Sequence, residues 1–143
     1  MAQTIKDIIK SFSLLDDWED RYRYVIELSH ELPPYPESSK DSAHKIPGCI
    51  SQAWLICKRN GNDNDPILTF KGDSDSYIVK GLMYIMLALY SGRLSSDILA
   101  INAEEILIEL GLNEHLTPQR SNGARSIIAR IREEAGKHKQ ATP

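Results

Sequence analysis

The sequence predicts an α+β fold, with a small antiparallel sheet of about three strands packed against helices. Three observations carry this expectation. Apolar residues recur at helical spacing up to Ser29, side chains alternate from Cys49 to Arg59, and helical spacing returns from Tyr77 onward. At 143 residues the chain fits one ordinary domain, long enough to bury a core without disulfides or a structural metal. We therefore expect a single domain over 1–143, with an ordered core over about 4–137.

Thr4 is placed to cap a first helix in which Ile5, Ile8, Ile9 and Phe12 share a face. "SLLDD" interrupts that pattern, and Asp16 or Asp17 caps a second helix carrying Trp18, Tyr22, Val25, Ile26 and Ser29 on one side. "LPPYPE" ends it, because proline cannot continue a helix, and the polar, proline-bearing stretch from Pro33 to Lys45 reads as a loop. From Cys49 to Arg59 the alternation predicts a strand. "NGNDNDP" carries a turn signal and "ILTFK" a second strand, so 49–71 is expected to form an antiparallel hairpin. A third strand is expected beside it, without a position that the pattern identifies.

The segment from Tyr77 to Tyr90 is apolar around most of a helical circumference, which predicts a central, buried helix. Asp73, Ser74, Asp75 or Ser76 can cap it, and Ser91-Gly92 closes it. "SSDILA" and "NAEEILIEL" each begin with capping residues and predict two short helices, with Gly111 as a C-terminal glycine cap. Thr117-Pro118 opens a last helix, where Ala124, Ile127, Ile128, Ile131 and Ala135 form an apolar stripe.

Composition restricts the function classes. The net charge is −3 and no Lys/Arg block forms the footprint of a nucleic-acid binder, so nucleic acid is not an expected partner. The opening "MAQTIKDIIKSF" has no apolar signal core. The longest apolar run, Leu82 to Tyr90, falls far short of the ~20 residues of a membrane span. Two cysteines without an export signal predict a cytoplasmic protein with reduced thiols.

Cys49 follows a Pro-Gly pair in "IPGCISQAW". On a continuous strand Cys49 and Cys57 would lie roughly 26 Å apart at ~3.3 Å per residue. A disulfide needs Cα atoms within about 7 Å, so the pair cannot bridge without a sharp bend, and a shared metal site fails for the same reason. A cluster needs about four thiolate or imidazole ligands, yet His30, His44, His115 and His138 are scattered. No metal site is therefore expected. Cys57, between Ile56 and Lys58, reads as an inert core thiol. For Cys49, local chemistry leaves an inert filler and a reactive thiol displayed at a turn in balance.

"IPGCISQAWL", "FKGDSDSYIVKGLM", "ALYSG" and "LGLNEHLTPQRSNGARSIIARI" together resemble the SufE family of sulfur-acceptor proteins, including its CsdE branch, in order from about Trp18 to Ile131. The matching positions are Gly48, Cys49 and Ser51 to Trp54, then Gly72 to Asp75, Lys80-Gly81, and His115 to Arg120. The resemblance implies an α+β fold shared with IscU-type scaffolds. It also implies a non-enzymatic accessory role in Fe–S cluster assembly: Cys49 accepts persulfide sulfur from a SufS- or CsdA-like cysteine desulfurase, stimulates it, and passes the sulfur to a downstream scaffold or other acceptor. Pyridoxal phosphate belongs to that partner, and no cofactor is implied for this chain. The Cys49 side chain is expected to rest against apolar neighbours and swing outward on docking. The alternatives are an IscU-like Fe–S scaffold, or a transferase or hydrolase with a cysteine nucleophile. The latter calls for a base and an oxyanion site, and only His44 is near in sequence.

Gly48, Ser51 and Gln52 are expected to support the loop, with Ser51 to Trp54 anchoring the strand behind it. Asp73 and Asp75 either tune that loop or contact the partner, or simply cap the helix that follows. Arg120 either binds the partner or supports the thiolate, or is a solvated first-turn residue. His44 and His115 are proton carriers or structural residues. Trp54 is expected in the core, and Lys80-Gly81 at a close packing point.

Overall fold

The computed structural model describes residues 3–48, 51–61 and 64–138. Its elements are α1 (Ile5–Ser13), α2 (Trp18–Ser29), β1 (Ala53–Asn60), β2 (Ile67–Ser74), α3 (Tyr77–Tyr90), β3 (Arg93–Leu94), α4 (Ser95–Ala100), α5 (Ala103–Glu109), α6 (Leu112–His115) and α7 (Pro118–His138), with a 3₁₀ turn at Glu37–Ser39 in the long loop. The strands form one antiparallel sheet in the order β1-β2-β3. The α+β architecture expected from the periodicities is therefore present.

Local chemistry sets most helix ends. Thr4 and Asp7 form a reciprocal capping box at α1, which satisfies two otherwise unpaired amides. Asp17 caps α2 by accepting from the Glu19 N–H. Gly111 has φ +72°, the left-handed conformation that ends α5. Leu28, absent from the apolar face read for α2, is fully buried with Val25 and Ser29, while Trp18, Tyr22 and Ile26 are half-buried.

Packing centres on α3, whose residues Leu82 to Leu87 are buried without interruption between the sheet, α2 and α7. Each such side chain contributes about 1.5–3 kcal/mol relative to exposure, which places the most apolar segment in the middle. Gly81 allows α2 and α3 to approach closely: a Cβ there would lie 2.1 Å from the Val25 carbonyl oxygen. The expected close packing at Lys80-Gly81 is thus a helix crossing.

Three expectations shift. β1 begins at Ala53 rather than at Cys49, and β2 runs on to Ser74, with Ala53 opposite Ser74 and Asn60 opposite Ile67. Ser51 and Gln52 lie outside the strand because the Gln52 backbone is tied to Asp75, while Cys49 and Ile50, where the alternation begins, lie outside the described residues. The third strand is the two-residue β3. Gly92, at φ +84°, turns the chain back from α3 and donates to the Leu68 carbonyl, which lays Arg93 and Leu94 against β2. Of the four caps expected for α3, Ser76 is the one that caps it; α4 differs, being started by Asp65 of the hairpin loop, whose carboxylate accepts from the backbone and hydroxyl of Ser96.

Candidate functional site

Cys49 lies outside the described residues, but both stems of its loop are described. Upstream, Asp41 organises a turn: its carboxylate accepts from the His44 backbone at 3.0 Å and meets His44 Nδ1 at 2.7 Å, while its carbonyl accepts from the Lys45 N–H. The His44 hydrogen bonds hold the Asp41 carboxyl below the usual carboxylate range. His44 therefore serves the turn. The chain then runs along the edge of β1, where Leu55 N–H donates to the His44 carbonyl at 2.9 Å and Ile46 N–H donates to the Ala53 carbonyl at 2.8 Å. Ile46 is buried beneath this edge.

Downstream, Gln52 is gripped through its backbone. Its N–H donates to Asp75 Oδ1 at 3.0 Å, and its carbonyl accepts from the Asp75 N–H at 3.1 Å and from the Ser74 hydroxyl at 2.6 Å. The Ile46–Ala53 pair and these Gln52 bonds fasten the described chain on either side of Cys49, up to Gly48 on one side and from Ser51 on the other. Gly48 has φ +82°, a conformation that strains any residue with a Cβ. A Cβ there would also come 3.0 Å from the Ser126 hydroxyl of α7.

Asp73, two residues before Asp75, is the hub of a charged network. Lys40 Nζ lies 3.0 Å from Oδ2 and Lys80 Nζ 3.4 Å from Oδ1. Lys40 also pairs with Glu37 and lies over the Trp54 ring, 5.3 Å from its centroid. Burial pushes the Asp73 carboxyl up, but the hydrogen bonds from Lys40 and the Ser74 N–H and the charge of Lys80 outweigh it, so the group stays below its ordinary value. Asp73 and Asp75 are thus not helix caps. Asp75 latches the loop's downstream stem, and Asp73 joins the long loop before the site to the sheet and α3.

Arg120 and His115 both meet α2. The Arg120 guanidinium lies over Tyr22 at 5.1 Å, and the His115 ring stacks on Trp18 at 4.1 Å, so both pack on the aromatic side chains of α2. Trp54 is buried, as expected. Cys57 is half-buried in β1 opposite Phe70, and burial, with the nearby Glu134 charge, pushes its thiol up to about 12. Such a thiol holds almost no thiolate near neutrality.

Sequence reasoning missed Arg130, Ser126 and Lys40, and named Ser74 only as a possible cap and as part of the motif, not for its bond to the Gln52 carbonyl. Arg130 donates from Nη1 to the Lys45 carbonyl at 3.0 Å and from Nη2 to the Ala43 carbonyl at 2.9 Å. In the sequence it is one more charged residue beside an apolar stripe, and nothing local signals what its guanidinium meets. Among the described residues no group of three or more His, Cys, Asp or Glu side chains is placed to hold a metal ion. No described helix is long and apolar enough to cross a membrane.

Comparison with known proteins agrees with the motifs. The family model described as "SufE: Fe-S metabolism associated domain" matches residues 6–135. An uncharacterized SufE-like protein of Rhizobium meliloti (strain 1021) is 52% identical over 132 residues, covering 92% of this chain and 94% of that protein. A second, from Rhizobium etli, is 52% identical over 132 residues, covering 92% and 89%. The solution structure of a hypothetical protein from Thermus thermophilus is similar with a TM-score of 0.72 at 18% identity, covering 94% of each chain, which is a likeness of fold. With a family model spanning most of its length and relatives identical at half their positions, the chain belongs to the SufE family, whose domain is associated with Fe–S metabolism.

Proposed function

We propose that this protein is a sulfur acceptor and carrier that takes sulfur from the persulfide of a SufS- or CsdA-like cysteine desulfurase onto Cys49, relieving and so stimulating the desulfurase. It then passes the sulfur to a downstream acceptor in Fe–S cluster assembly. The observation that carries this reading is the contrast between the chain's two cysteines. Cys57 is embedded in a strand with its thiol pushed up to about 12, whereas Cys49 stands in the family motif between two described flanks, each held by its own hydrogen bonds.

In the transfer, the Cys49 thiolate attacks the outer sulfur of the partner's persulfide. A new S–S bond forms on Cys49, the partner's S–S bond breaks, and the partner's cysteine leaves as a thiolate while the outer sulfur keeps its proton. No net oxidant is consumed, because the sulfane sulfur moves with its oxidation state intact. Removal of that sulfur frees the desulfurase cysteine for another turnover, which accounts for stimulation by product removal. Donation onward is the same exchange, now with Cys49 as the leaving thiolate, so one cysteine suffices.

The test is incubation with a cysteine desulfurase and L-cysteine, followed by intact-mass measurement and mapping of the adduct. Wild type and Cys57→Ser are expected to gain one sulfur atom on Cys49, and Cys49→Ser none. A wild-type protein that gains no sulfur and leaves the desulfurase rate unchanged overturns the proposal.

A further inference from the structure

The backbone carbonyls just upstream of the loop alternate in direction. The His44 carbonyl faces β1 and accepts from Leu55 N–H, while the Ala43 and Lys45 carbonyls face the opposite way, toward α7. Both of the latter are taken by one side chain, the guanidinium fork of Arg130, at 2.9 and 3.0 Å. Its Nε lies 3.3 Å from Glu134 Oε1, and the Arg130 and Glu134 side chains are only 14% and 13% exposed. A planar, always-charged fork suits two carbonyls at this spacing, and a lysine ammonium cannot reproduce it. One turn earlier on α7, Ser126 lies against Gly48, the left-handed residue of the loop. Residues spaced by four share a helix face, so Ser126 and Arg130 form one track along which the upstream stem and the loop's first residues are seated.

We infer that Arg130 is a positioning residue for the reacting loop: it fixes the upstream hinge at Ile46–Pro47 by clamping the Ala43 and Lys45 carbonyls to α7. The inference rests on the reading that Cys49 accepts sulfur, and it specifies how that cysteine is presented. With the upstream stem held between the edge of β1 and α7, the chain leading to Cys49 is fixed as far as Gly48, so the thiol meets the partner's persulfide from a restricted set of directions. Releasing the fork frees the stem from Ala43 to Lys45, so those directions widen and productive encounters become rarer.

The test compares wild type, Arg130→Ala and Arg130→Lys well below their unfolding temperatures, with Cys49 alkylation by a small reagent measured alongside desulfurase-dependent sulfur uptake. For Arg130→Ala the expected result is a fall of about tenfold in the uptake rate at saturating desulfurase, in the range that misplacement of a reacting group produces. The desulfurase concentration at half-saturation should change little, and alkylation of Cys49 should not fall. Hydrogen exchange at the Ile46 and Leu55 amides should accelerate while α3 stays protected. Arg130→Lys, which keeps the charge but reaches one carbonyl, should recover part of the rate. If Arg130→Ala does not fold, Arg130→Lys alone is expected to show the same pattern with about a threefold loss. A folded variant with the wild-type saturating rate overturns the role of Arg130. Failure of the wild type itself to gain sulfur overturns instead the function on which the inference rests.

Discussion

Cys57 sits inside β1, opposite Phe70 in an unbroken antiparallel ladder, and its thiol is pushed far up by burial. The segment carrying Cys49 is built differently: its stems are fastened by Ile46, Gln52, Asp75, Ser74 and Arg130, and the chain between them turns through a left-handed glycine. The strand is paired with β2 along its whole length and leaves its cysteine half-buried against the core. The described flanks of Cys49 are fastened instead to Ala53, Ser74, Asp75 and Arg130, through hydrogen bonds that reach other parts of the chain. The difference teaches that the two positions are set apart by how the flanking backbone is held, since both residues are cysteines and only eight positions separate them.

The largest effect that can break this contrast is the difference in thiol reactivity. At about pH 8 a thiol with a value near 12 has a thiolate fraction of about 10⁻⁴, whereas an ordinary thiol has roughly a quarter. Iodoacetamide in native buffer should therefore modify Cys49 at least about a hundredfold faster than Cys57, read by peptide mapping. The two rates should converge in denaturant. Comparable native rates would remove the distinction between the segments.

A smaller effect tests the loop's turn. Gly48→Ala places a Cβ at φ +82° and 3.0 Å from the Ser126 hydroxyl. Left-handed backbone costs about 1–2 kcal/mol for a non-glycine residue, so denaturant unfolding should register a loss of that order unless the loop rearranges. A rearranged loop would instead change the Cys49 alkylation rate severalfold at unchanged stability. A variant identical to wild type in both measurements would show that the left-handed turn does not set the loop.

Much of this was legible in the residues, for a physical reason that also explains the rest. Thr4, Asp17, Gly111 and Thr117-Pro118 act within their own turn of chain, so the ends of α1, α2, α5 and α7 can be read from neighbours. The Pro-Gly pair before Cys49 likewise announced a turn, and Gly48 has the positive φ that such a turn uses. β3 has two residues and therefore no alternation to read, and the start of β1 was displaced by a bond from Asp75, a residue far along the chain. The cap of α4 comes from Asp65 across the hairpin, for which "SSDILA" holds no trace. Arg130 and Ser126 acquire their neighbours only because α7 crosses the loop's upstream stem in space. Arg120, singled out by motif, has Tyr22 as its described aromatic neighbour and shares the α2 surface with His115.

The smallest effect places the two segments at opposite ends of the pH scale. Asp73, which ties the loop before the site to the sheet through Lys40, has a folded value below its ordinary 3.8. A depressed carboxyl contributes stability that is present above the unfolded value and is lost as pH falls through the folded one. Cys57 runs the other way: raised from 9.0 to about 12, it contributes stability present below 9.0 and lost as pH climbs toward the folded value. Urea unfolding across pH should therefore show Asp73→Asn flattening the acid limb alone and Cys57→Ala flattening the alkaline limb alone, each relative to wild type. Because Asp73 keeps partial solvent contact, its share of the acid limb should be a fraction of the whole, with the other carboxylates supplying the remainder. An acid limb unchanged in Asp73→Asn would mean that Lys40 and Lys80 hold the loop before the site without help from that carboxylate's charge.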